Sequence, residues 1–178
     1  MAITPPSSVT HLRPVGEAPT GVSSERYISD AFLEREKQNI FRRSWLVVCP
    51  VHKLRRKGAY MVQDEVDESI VVIRDSSGTI NAFHNSCRHR GSRLVDGRGR
   101  LSKIACPYHD WNYDLDGRLC SVPRSSGFSD LDRANLNLRP VRTEVLMGFV
   151  WVNFDDDAPP LRQSLSGLDA ELAPYSLE

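Results

Sequence analysis

Two short motifs constrain this chain more than anything else in it. Cys87-Arg88-His89 and Cys106-Pro107-Tyr108-His109 each set a thiol and an imidazole within a few residues of one another, and residues 90–105 separate them, sixteen in all. Donors spaced this closely converge on one small site only where the backbone turns sharply. Gly91 after the first pair and Pro107 inside the second are turn residues. The spacing therefore predicts two tight loops that deliver two sulfur and two nitrogen donors to one place.

Two metal chemistries accept that donor set. A structural zinc takes four such ligands in a tetrahedron, but zinc modules usually keep like ligands together, as C-x-x-C followed by H-x-x-x-H. Here each loop supplies one Cys and one His. That order suits a two-iron, two-sulfur cluster in which two Cys hold one iron and two His the other. On this reading Cys87 and Cys106 bind one iron, and His89 and His109 bind the second. The rival is a zinc-stabilised interaction module. A cluster is coloured and zinc is not, so a visible spectrum separates the two.

The rest of the composition mainly excludes. The chain has 178 residues, enough for one domain with a core, and its 23 basic and 23 acidic residues balance. That balance offers no global attraction to nucleic acid or to an anionic membrane. No apolar run is long enough to span a bilayer. Residues 1–24 are rich in Pro, Ser, Thr and Gly and lack an apolar core, so they read as a disordered tail, not a signal peptide. Cys49 and Cys120 lack metal-like spacing and read as free thiols.

Along the chain, residues 29–43 carry Phe32, Leu33, Ile40 and Phe41 near one face, with Ser29 or Asp30 able to cap, which predicts a helix. Short β-rich runs follow at 45–49, 59–63, 69–74 and 79–84, the last two joined by a turn at 75–78. Residues 102–105 form a brief strand into the second loop, 112–119 a hairpin turning at Asp116-Gly117, and 148–154 a closing strand. Many short strands with frequent turns predict a mainly β, antiparallel domain. Beyond 157 a weakly amphipathic stretch through Leu165, Leu168 and Leu172 ends at Pro174.

The loops as written, residues 85–94 (NSCRHRGSRL) and 106–119 (CPYHDWNYDLDGRL), resemble those of Rieske non-haem iron oxygenases, which include aromatic-ring-hydroxylating dioxygenases and Rieske monooxygenases. The resemblance is to the large, terminal-oxygenase subunit and runs from about Tyr27 to the end of the chain. One residue departs: after the second His the family often has Gly, and here stands Asp110.

The resemblance implies an antiparallel Rieske iron–sulfur domain over residues 25–157, with a small cluster-binding subdomain and an N-terminal helix. Residues 158–178 then begin a linker to a catalytic domain. It implies a Rieske-type 2Fe-2S cofactor on Cys87, His89, Cys106 and His109. It also implies single-electron relay from a reductase or ferredoxin to a mononuclear non-haem iron held by two His and a carboxylate. His11, His52 and His84 do not pair at suitable spacing, so that iron is expected in a partner half and this chain carries no catalytic residue. Complete subunits of the family are commonly trimers. A stand-alone Rieske ferredoxin is the second reading. It has no need of the helix before the first strand or of the residues after Phe154. Respiratory-type relatives brace the cluster with a disulfide. Ser92 and Tyr108 stand at those places, consistent with a reducing cytoplasm. The missing brace, with Asp110, predicts a potential near about −150 mV, the low end for this ligand set. Arg88, Arg90, Arg93, Arg98, Arg100 and Lys103, against Asp96 and Asp110, read either as a collar steering an acidic donor or as a solvated loop. Trp111 reads either as a shield for the cluster or as core filling. Relatives hydroxylate aromatic rings or demethylate quaternary amines, and the pocket that chooses is not in this half.

Overall fold

The computed structural model describes residues 21–124 and 131–175. The expected disordered tail falls mostly outside them, as does His11. Residues 1–35 and 36–178 are separate compact units. The first contains α1 (Glu25–Ile28) and the start of α2 (Asp30–Asn39), where Ser29 Oγ accepts from the Phe32 amide at 3.3 Å and caps the turn. The single helix expected over 29–43 is instead two pieces, α2 and a closing 3-10 turn, Phe41–Arg43. Its apolar residues do not bury: Leu33, Ile40 and Phe41 are all exposed.

The second unit is built on a seven-stranded antiparallel sheet in the order β1-β10-β9-β4-β3-β2-β5. Its strands are β1 (Leu46–Pro50), β2 (Ala59–Glu65), β3 (Glu68–Arg74), β4 (Ile80–His84), β5 (Arg98–Arg100), β9 (Pro140–Leu146) and β10 (Phe149–Asn153). A smaller sheet, β6-β7-β8, joins β6 (Ile104–Ala105), β7 (Asn112–Tyr113) and β8 (Leu119–Ser121). β5 and β9 are not among the runs read from sequence. In Arg98-Gly99-Arg100 there is no apolar alternation to see, and in β9 the charges of Arg142 and Glu144 interrupt it.

Period-two alternation gives the large sheet two faces, and curling gives it three cores. Ile70, Val72, Ala82, Val141, Val150 and Val152 line one face and pack together. On the opposite face of β2–β4, Val71, Ile73 and Phe83 pack against Ile104, Trp111 and Tyr113 of the small sheet. This second core seats both Cys-His loops. The third lies under the last residues: Trp45, Leu146 and Leu161 are buried together, and the Trp45 indole donates to the Pro159 carbonyl at 3.0 Å. Residues past 157 thus lie against the sheet, with Ala158 and Leu161 buried, followed by α3 (Leu161–Ser164) and α4 (Leu168–Leu172).

Candidate metal centre

The two loops close with the same backbone bonds. In the first, the Gly91 amide donates to the Cys87 carbonyl at 2.9 Å and the Cys87 amide to Ser92 O at 2.8 Å. In the second, Asp110 donates to Cys106 O at 3.0 Å and Cys106 to Trp111 O at 2.8 Å. Residues four and five beyond each Cys therefore play the same parts. The fourth must take a left-handed backbone in both loops, with φ +72° at Gly91 and +54° at Asp110. This explains the departure noted above: glycine suits that conformation best, and Asp is among the few other residues that tolerate it.

The first loop is locked from beneath by Asn85, which is buried. Its Oδ1 accepts from the amides of Leu94 and Val95 at 3.2 and 3.1 Å, and its Nδ2 donates to Val95 O at 2.8 Å and Ser69 Oγ at 3.2 Å.

The four expected ligands meet as two like pairs. Cys87 and Cys106, each 3% exposed, lie side by side within hydrogen-bonding reach. His89 and His109 are half-buried, with ring centres 4.8 Å apart at 65°. Among the described residues no three His, Cys, Asp or Glu side chains gather around a single ion.

The thiols are prepared unequally. Burial pushes Cys106 up, but the amides of His109 and Tyr108, the Cys87 side chain and Ser92 together hold it below its ordinary value. Burial raises Cys87, and Tyr113 and the His89 amide oppose this only partly. Burial, then His109 and Arg90, lower His89, which favours the neutral imidazole a metal requires. By contrast Cys49, with burial alone acting on it, is pushed up to about 11. Donor types, pairing and local amides all fit a cluster with a two-thiolate and a two-imidazole end.

Two contributors escaped the sequence reading. One is Asn85. The other is Tyr113, fully buried, whose hydroxyl lies 3.4 Å from Cys87 Sγ. The Arg88 amide donates to the Tyr113 oxygen at 3.1 Å, which leaves the phenol hydrogen to point at the sulfur. Burial and then Cys87 hold its pKa far above the usual tyrosine value, so it stays a donor. The available signal was alternation, since Trp111 and Tyr113 are two residues apart and share a face. Trp111 is buried in the core and also stacks on His89, ring centres 4.7 Å apart at 6°.

The basic collar divides. Arg93 is neutralised by Asp64 at 3.2 Å and Asp96 at 2.5 Å, and it holds the Asp64 carboxyl below its usual range. Arg88 turns to the Asn135 carbonyl at 3.4 Å. Arg90, Arg98, Arg100 and Lys103 are exposed, and none pairs with a described acid. Away from the loops, His84 meets Glu68 at 3.3 Å beside a cleft of about 310 Å³, and His52 is exposed. All four cysteines are free thiols. Among the described residues no helix is long and apolar enough to cross a membrane.

This fold and donor arrangement define an iron–sulfur electron-transfer domain, and residues 44–137 match the Rieske [2Fe-2S] domain family. The chain belongs to that family, in the form carried by the oxygenase subunits of Rieske non-haem iron oxygenases. It is 41% identical over 144 residues to the glycine betaine monooxygenase oxygenase subunit of Chromohalobacter salexigens, covering 80% of this chain and 32% of that protein. The quaternary ammonium Rieske monooxygenase CntA, solved with gamma-butyrobetaine, superposes with a TM-score of 0.81 at 33% identity, covering 85% of this chain and 44% of that one. A naphthalene 1,2-dioxygenase gives 0.76 at 34%, covering 82% and 34%. The chain thus spans between about a third and under half of the proteins it matches.

Proposed function

We propose that Cys87, His89, Cys106 and His109 hold a Rieske 2Fe-2S cluster, and that the domain relays single electrons from a reductase or ferredoxin to a mononuclear iron in the catalytic part of an oxygenase. The observation that carries this is the pairing of like donors, thiols inward and imidazoles outward. A cluster bound there supplies reversible one-electron chemistry at a potential set by its ligands and their hydrogen bonds. The chain's own residues do the rest. The Tyr108 and His109 amides steady the Cys106 thiolate, and Tyr113 donates to Cys87. Trp111 fixes the plane of His89, and the half-buried imidazoles stand where an electron has a short way out. Inter-subunit electron transfer is described for CntA, which supports a trimer in which this domain serves a neighbouring subunit's iron. We place the complete subunit nearer the quaternary ammonium monooxygenases than the ring dioxygenases, in the cytoplasm. Support comes from 41% identity to the glycine betaine protein and a TM-score of 0.81 to CntA against 0.76 to the naphthalene enzyme.

Iron and acid-labile sulfide assays test the ligands. Ala at Cys87, His89, Cys106 or His109 is expected to abolish the cluster, while Cys49→Ala and Cys120→Ala keep it. Cluster loss in Cys49→Ala would refute the assignment. The purified chain with a reductase is expected to cycle electrons without oxygen-coupled product. Hydroxylated or demethylated product from it would overturn the division of labour.

A further inference from the structure

The exposed cations of the collar belong to a larger patch that only the tertiary structure assembles. β5 is the edge strand of the large sheet and pairs with β2 through Ala59↔Arg100 and Met61↔Arg98. Leu101 donates to the Gly58 carbonyl at 2.9 Å, and Arg100 Nε to Lys57 O at 3.3 Å. These bonds run residues 98–101 along residues 57–61, and the Ala59 amide, donating to Arg56 O at 2.9 Å, turns Arg55 and Arg56 in beside them. Lys53, Arg55, Arg56, Lys57, Arg98, Arg100 and Lys103 are all exposed, and none pairs with a described acidic residue. No acidic residue occurs in 51–63 or in 97–109. Gly99 backs onto the Tyr60 ring, 3.2 Å from where a Cβ would stand, so Arg98 and Arg100 project together from the opposite face. In a chain of zero formal net charge this is a strongly polarised edge.

Charged residues also guard sheet edges against self-pairing. Two Arg on a three-residue strand would suffice for that; five further cations from neighbouring segments exceed it. The patch is also covalently continuous with the metal centre. β5 begins nine residues after His89, and Lys103 stands three before Cys106. A cationic edge whose neighbouring aromatic, Tyr60, packs behind Gly99 suits an acidic protein surface better than the stacked bases of a nucleic acid.

We propose that this edge, residues 53–57 with β5 and Lys103, is the docking surface for the acidic face of the electron donor, a reading that rests on the Rieske function proposed above. Opposite charge there raises the encounter rate and holds the donor against the segment linking the two loops.

The test uses the cluster-loaded chain, reduced in stopped flow by a photoreduced acidic plant-type ferredoxin and, separately, by neutral deazaflavin semiquinone. Arg55→Glu/Arg56→Glu/Lys57→Glu and Arg98→Glu/Arg100→Glu are compared with Arg162→Glu on α3. Patch reversal is expected to slow ferredoxin reduction about tenfold or more at low ionic strength, with the gap closing at high salt. Reduction by the neutral reductant, the visible spectrum and the Arg162→Glu rate are expected to stay unchanged. Equal ferredoxin rates in patch and wild-type proteins at low salt would overturn the docking surface, as would salt-sensitive binding of duplex DNA to the patch without any effect on the ferredoxin rate. Failure of the neutral reductant to reduce the wild-type centre would instead count against the Rieske reading itself.

Discussion

The two Cys-His loops share one backbone closure and differ in almost everything else. Each Cys is locked by bonds to the fourth and fifth residues after it, so the pair is nearly a structural repeat. The first loop has glycine at the left-handed position and a buried Asn85 pinning it to β3 and to residues 94–95. The second has Asp110 there, and draws its rigidity from β6, β7 and the buried Trp111 and Tyr113. Its tip exposes Tyr108, stacked on His109 at 3.8 Å between ring centres. The backbone thus defines where the sulfurs sit, while side chains from elsewhere in the fold decide how firmly each loop is held and how each thiolate is tuned.

Removing the Asn85 lock has the largest expected effect. Asn85→Ala strands two amides and a carbonyl in a buried place, and we expect a loss of about 3 kcal/mol. Urea unfolding of the apo protein measures it. Cluster content should fall with it, because the first loop alone loses its support. A loss near zero would mean that the loop is held by its own turn.

Tyr113→Phe keeps the packing and deletes one hydrogen bond to sulfur. A donor to a thiolate stabilises the reduced, more negative centre, so its loss should lower the potential. About 1 kcal/mol corresponds to roughly 40 mV for one electron. A redox titration with an unchanged value would show that the phenol points elsewhere. This bond is an upward influence that the expectation of a potential near the low end left out.

Exchanging the left-handed residues tests whether the two loops are equivalent. Gly91→Asp meets nothing closer than Ser86 Oγ at 3.8 Å, so its expected cost, about 1 kcal/mol, is backbone strain alone. Asp110→Gly should be neutral or stabilising by less than about 1 kcal/mol. Equal effects of the same sign in thermal melts would mean that the loops are not equivalent.

Asp110→Asn is the smallest change, since Asn also tolerates the left-handed conformation. One exposed carboxylate about 10 Å from a redox centre opposes an added electron by roughly 20–40 mV after solvent screening. The potential should rise by that much, and less at high salt. No rise would leave Asp110 as a turn residue only.

Local features were legible from the residues alone because their causes are local. The C-x-H and C-x-x-H spacings, the turn at 75–78 and the Asp116-Gly117 turn all rest on neighbours in the chain. The runs at 59–63 and 69–74 were visible because alternation directly encodes a strand with a buried face. β5 and β9 were not, since charges on an edge or an outer face erase that pattern. The helix read over 29–43 carried an apolar face, but apolarity says nothing about what covers it.

The residues alone carried the two Cys-His motifs, their placement on two loops and the mainly β class. What the tertiary structure decided was which distant residues serve those loops. It brought Asn85 beneath the first, aimed Tyr113 at Cys87, tied Arg93 to Asp64, and laid Lys57 beside β5. The physical reason is range. A turn depends on a few successive dihedrals, whereas burial, a hydrogen bond to sulfur and a surface field depend on segments that only the completed sheet brings together.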